Sequence, residues 1–152
     1  MWRSVLGVIV GLVVGGVAAF AIELPALIMH PLPQGIRTND RAAMAEHVGK
    51  LPTTVFTAVA LAWTVAPLVA AFVAALIVRR QVMTHAIVLG VIFLTMDVMN
   101  LRSIPSPWWL NVVGIVAPLP AAILGVLIAG RFLPAQTVGP QRYDMRERNM
   151  AC

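Results

Sequence analysis

The chain has 152 residues, of which 60% are hydrophobic and only 11% are charged, and its formal net charge is +5. An ordinary soluble domain carries about 25% charged residues, so this composition excludes that class. Runs of about 18 or more apolar residues predict membrane-spanning helices. We therefore expect an all-α integral membrane protein with four transmembrane helices. The predicted spans cover about 4–29, 53–78, 82–101 and 108–130.

The first span begins like a secretory signal, with Arg3 ahead of an apolar stretch and small residues near Ala21. Because the apolar run continues to Met29, it is longer than the core of a signal, and we expect it to remain as a span. Glu23 lies within it. An ionisable group inside a span is by default a functional-site hypothesis.

An outer loop, residues 30–52, follows the first span and is the only sizeable polar segment between spans. Asn39 or Asp40 is expected to cap a short surface helix over 42–47. A haem held between helices by two histidines needs both at the same depth in the membrane. Only residues of the outer loop could offer that, and we therefore expect no haem. His85, at the edge of the third span, is the one candidate for binding a chlorin magnesium; the alternative is a polar residue at the membrane interface.

Small residues recur every four positions along the first two spans. They are Gly7, Gly11 and Gly15 on the first, and Ala58, Ala62, Ala66, Ala70 and Ala74 on the second. Such stripes allow helix backbones to approach closely inside a membrane. We expect the two spans to pack by these faces; alternatively, one stripe faces a partner protein. Pro67 and Pro118 are expected to kink the second and fourth spans.

The third and fourth spans repeat features of the first two. ELPALIMHPLP (23–33) and DVMNLRSIPSP (97–107) each open with an acid and close with Pro-x-Pro at the same spacing. APLVAAFVAALIVRR (66–80) and APLPAAILGVLIAGR (117–131) also match. The pattern predicts two parallel helical hairpins related by a pseudo-two-fold axis along the membrane normal. The alternative is coincidence between segments rich in Ala, Leu and Pro.

The repeat places Glu23 and Asp97 at matched depths, and Asn100 shares a helix face with Asp97. The functional interpretation is a pair of acids that binds a cation or relays protons. In the structural interpretation, each acid is protonated or accepts hydrogen bonds from neighbouring helices. The sequence leaves both open.

Basic residues indicate the orientation. The N-terminus, the turn after the second span and the tail hold seven lysines and arginines, against four in the other two loops. By the positive-inside rule, we expect both termini in the cytoplasm. We divide the chain into a transmembrane domain, 1–134, and a polar tail, 135–152. The tail is expected to contact anionic lipids or partner subunits through Arg142, Arg146 and Arg148.

Three short motifs resemble a small bacterial four-helix membrane family without an assigned function. They are HPLPQGI after the first span, KLPTT at the start of the second and NLRSIPSPWW after the third. The resemblance covers most of the spans but not the tail, and it implies a bacterial cytoplasmic membrane. It implies no activity.

The motifs of common enzymes are missing, namely a nucleophile elbow, a phosphate loop and HExxH. We expect no enzyme, no cofactor, no metal site and no nucleic-acid partner. The predicted function is an accessory subunit of a larger bioenergetic complex, photosynthetic or respiratory. Its partners would be other integral membrane subunits, with pigment or lipid contacts at the interface. The alternative is a small dimeric transporter or channel, coupled to protons or cations through Glu23 and Asp97.

Overall fold

The computed structural model describes residues 2–32, 40–78 and 81–132, with only the backbone of Arg41. In these ranges the chain is 88% helical and contains no strand, which confirms the all-α expectation. The predicted tail, with Arg142, Arg146 and Arg148, lies outside the described residues. The six helices are α1 (Trp2–Met29), α2 (Arg41–Gly49), α3 (Thr53–Val78), α4 (Val82–Ser103), α5 (Trp108–Val116) and α6 (Pro118–Gly130).

Three of the described helices, α1, α3 and α4, are long and apolar enough to cross a membrane. Helices α5 and α6 together make a fourth candidate span, bent by 43° at the break between them. The predicted fourth span is therefore two helices that meet at Ala117. Pro118 opens α6, because proline lacks the amide hydrogen needed inside a helix but suits a first turn. Helix α3, in contrast, continues through Pro67.

Helix α1 packs along α3 through its glycines. Gly7, Gly11 and Gly15 are the only fully buried residues of α1. A Cβ atom on Gly15 would lie 2.6 Å from the backbone oxygen of Ala66, so only glycine permits this approach. On the α3 stripe, Ala62, Ala66, Ala70 and Ala74 are buried and Ala58 is partly exposed. Both small-residue stripes are thus used for contacts within the chain.

The core lies around α3, which contacts α1, α4 and α6. Alanines of α3 and α6 pack there with Leu89 and Phe93 of α4. Gly125 of α6 lies against the backbone oxygen of Leu68. The large apolar side chains that remain exposed, such as Val17 and Phe20, face outward from the helices. Small residues at the helix contacts and large apolar residues on the outer surface are the distribution expected of helices in a lipid environment.

Candidate functional site

Helix α2 is a short helix with a defined start. The side chain of Asp40 accepts hydrogen bonds from the amides of Ala42 and Ala43, both at 3.1 Å, which confirms the predicted cap. Near its end, Lys50 Nζ lies 2.7 Å from Glu46 Oε1. The hydrogen bond and the positive charge of Lys50 lower the pKa of Glu46. Both side chains of this pair are exposed.

A cavity of about 270 Å³ lies between α2 and the ends of the long helices. We call it the α2 cavity. Its polar lining residues are Glu23, His30, His47, Asn100 and Ser106. Its apolar lining residues are Ala26, Leu27, Leu32, Met44, Val48, Leu51, Val55, Phe56, Val59, Trp63, Ile104 and Leu110. A concave, mostly apolar pocket with a few convergent polar groups is the usual form of a small-molecule site.

Helical periodicity explains how α1 and α2 face the cavity. Glu23, Ala26, Leu27 and His30 follow the spacing i, i+3, i+4, i+7, which places them on one side of the last turns of α1. Residues 44, 47, 48 and 51 follow the same spacing on α2 and just after it. One side of α2 therefore covers the cavity, and Met44 on this side is only 6% exposed. The side chains of Glu46 and Lys50 do not line the cavity and are exposed.

Asp97 lies one turn before Asn100 on α4, and Asn100 lines the α2 cavity together with Glu23. The side chain of Asp97 is only 5% exposed, and its Oδ2 atom has no hydrogen-bond partner among the described residues. Helices α1 and α4, which carry the two carboxyl groups, are in contact. Asn100, one turn further along α4, lies on the cavity wall and is exposed. The structure thus brings Glu23, Asp97 and Asn100 into one polar region that joins α1 and α4.

His85 lies elsewhere. It belongs to the first turn of α4, where its Nδ1 atom is 2.9 Å from the backbone oxygen of Gln81, and it does not line the cavity. In the described ranges, no group of three or more His, Cys, Asp and Glu side chains is arranged to hold a metal ion.

Four residues of this region were not predicted as site residues. His30 and His47, distant in the sequence, line the same cavity. Trp63 lies at the cavity wall and packs against Gly114, where a Cβ atom would meet its ring at 2.7 Å. Asn111 has a buried Oδ1 atom without a hydrogen-bond partner among the described residues. As the one side-chain amide in the predicted fourth span, Asn111 had a recognisable signal in the sequence.

The comparisons with known proteins give no relative. No family model matches the chain, and neither a curated protein nor a solved structure is similar to it.

Proposed function

We propose that this chain is a small proton- or cation-coupled membrane carrier or channel, active as a dimer, in which Glu23 and Asp97 take up the coupling ion. The observation that carries the proposal is the Oδ2 atom of Asp97, which has no hydrogen-bond partner among the described residues although the side chain is only 5% exposed. Glu23 itself lines the α2 cavity.

The cost of this arrangement argues for a role beyond packing. A buried polar group without a hydrogen bond costs about 1–3 kcal/mol in proteins, and an ionised one costs more. A chain that only fills space between neighbours gains nothing from it. A carrier does, because a carboxyl group that lacks a fixed protein partner is free to bind and release a proton or cation.

The proposed layout is a pair of parallel hairpins, α1 with α3 and α4 with α5–α6, with both termini in the cytoplasm and the α2 cavity facing the opposite side. The burial patterns of α3 and α6 support it. The buried residues of α6 are Pro118, Ala121, Ala122, Gly125, Val126 and Ala129. Each lies 51 positions after a buried residue of α3, in the set Pro67, Ala70, Ala71, Ala74, Ala75 and Val78. A repeated burial pattern is what an internal duplication produces.

A flux assay in proteoliposomes tests this function. With a pH-sensitive dye inside the vesicles, the wild-type protein should dissipate an imposed pH gradient. Glu23→Gln and Asp97→Asn should each abolish this flux, whereas Glu46→Gln, which alters an exposed acid outside the cavity, should leave it unchanged. Flux that survives in either carboxyl variant would refute the proposal, as would a wild-type protein without flux of protons, sodium or potassium.

One observation favours the second candidate, an accessory subunit of a bioenergetic complex in a bacterial cytoplasmic membrane. Helix α1 is buried only through its glycines, and Val13, Val17 and Phe20 form an exposed apolar face on the other side. Neighbouring membrane subunits or lipid would cover this face. Native purification distinguishes the two functions: stoichiometric membrane partners support the accessory role, and a homodimer alone contradicts it.

A further inference from the structure

We infer that the α2 cavity binds an amphiphilic organic monocation, such as a primary amine in its ammonium form with an apolar body, and that Glu23 is its counter-ion. The inference rests on the proposed function insofar as it names the ligand class of the same site. It requires only that the cavity bind this ligand, so a binding experiment tests it independently of transport.

The charge of the lining selects the sign of the ligand. Among the described residues, Glu23 is the only acid that lines the cavity, and Asp97 lies one turn before Asn100 of the same wall. No lysine or arginine side chain described by the structure lines the cavity. Against a mostly apolar wall an ion pair is stronger than in water. His30 and His47 are the other ionisable groups of the wall and add no charge in their neutral form, so the carboxylate of Glu23 favours a cation over an anion.

The rest of the lining selects an organic ligand. The rings of Phe56 and Trp63 and the side chains of Leu27 and Met44 form much of the wall. Aromatic faces attract cations, and methionine adapts to ligands of irregular shape. The apolar body of an organic ligand would be buried against these side chains, whereas a small inorganic ion has no apolar surface to bury.

The acceptors available on the wall also fit an ammonium group better than a bare divalent metal ion. Calcium takes six to eight oxygen ligands, and the described residues contain no group of three or more acidic, His or Cys side chains suited to a metal. An ammonium group has three donors to satisfy. Glu23, Asn100 and Ser106 each carry an acceptor oxygen, and all three line the cavity.

Calorimetry on the full-length protein in lipid nanodiscs tests this inference with two probes of matched size. 2-Phenylethylamine is a cation at neutral pH, and 2-phenylethanol is neutral. We expect the wild-type protein to bind the amine at least about tenfold more tightly than the alcohol, the ratio for one charge-assisted hydrogen bond. Glu23→Gln should weaken amine binding by a similar factor and leave alcohol binding unchanged. Glu46→Gln should bind both probes like the wild type.

Three results would overturn the inference: equal affinities for the two probes, undiminished amine binding by Glu23→Gln, or no amine binding by the wild-type protein. The comparison of the two probes needs no variant, so it remains decisive if Glu23→Gln fails to fold. Amine binding without ion flux would refute the carrier and leave this inference intact. Flux that depends on Glu23 without amine binding would refute the inference and leave the carrier intact.

Discussion

The backbone of Gly11 lies directly against the carbonyl group of Ala70, so that a Cβ atom on Gly11 would stand 2.6 Å from that oxygen. Real Cβ atoms essentially never come so close. Gly11→Ala should therefore force α1 away from α3 and destabilise the protein by about 1–3 kcal/mol, the usual cost of overpacking. Thermal unfolding in detergent measures the effect as a lower melting temperature.

Gly16 provides the matched control for Gly11. It belongs to the same helix, and an added Cβ atom would meet nothing within 4 Å. Because alanine is the better helix former, Gly16→Ala should leave the melting temperature unchanged or raise it slightly. Equal destabilisation by both substitutions would mean that glycine serves α1 through its flexibility, and the close packing on α3 would then be unimportant.

A second glycine contact, between α6 and α3, should be even less tolerant. An added Cβ atom on Gly125 would overlap the backbone oxygen of Leu68 and also lie 3.0 Å from its carbonyl carbon and 3.2 Å from its Cα atom, so three backbone atoms crowd this position. We expect Gly125→Ala to destabilise the protein more than Gly11→Ala does. Gly130→Ala is the control on the same helix, since nothing lies within 4 Å of that position. A melting temperature of Gly125→Ala equal to that of Gly130→Ala would contradict the packing of α6 on α3.

The sequence predicts the helices of this protein better than its site. The second span was predicted over 53–78 and forms Thr53–Val78, because the length of an apolar run depends only on local composition. Asp40 was likewise predictable as a cap, since capping involves residues two and three positions away. Periodicity also showed which face of α1 carries small residues, although it does not name the surface that such a face contacts.

The cavity itself could not be predicted. Its lining depends on α2 folding back over the ends of the long helices, which brings His47 into the same cavity as Glu23 and His30. These contacts join residues far apart in the chain, and no local pattern encodes them. The depth of Asp97 was inferred from the aligned repeat. Its burial without a hydrogen-bond partner among the described residues emerges only from the packed helices.

Helix α2 should depend on its cap. Asp40→Ala removes both hydrogen bonds to the first turn and should destabilise α2 by about 0.5–2 kcal/mol. Hydrogen exchange of residues 41–49 should then accelerate, and amine binding should weaken because Met44, His47 and Val48 line the cavity from α2. The melting temperature of the bundle should change little. Asp40→Asn, which retains a capping oxygen, should behave like the wild type; unchanged exchange in Asp40→Ala would show that packing alone maintains α2.

The decisive prediction concerns the buried acid Asp97. An apolar replacement should stabilise the protein if the role of Asp97 is functional and destabilise it if that role is structural. The Oδ2 atom has no hydrogen-bond partner among the described residues, so Asp97→Leu, of similar shape, removes an unsatisfied group from the interior. It should stabilise the protein by about 1–3 kcal/mol while abolishing ion flux, the trade-off expected of a functional site that costs stability. Asp97→Asn removes the ionisable group but keeps a polar one, so it should lose flux with a smaller gain in melting temperature. If Asp97→Leu instead lowers the melting temperature strongly, the carboxyl group is a satisfied structural element, and the argument from its burial to ion coupling fails.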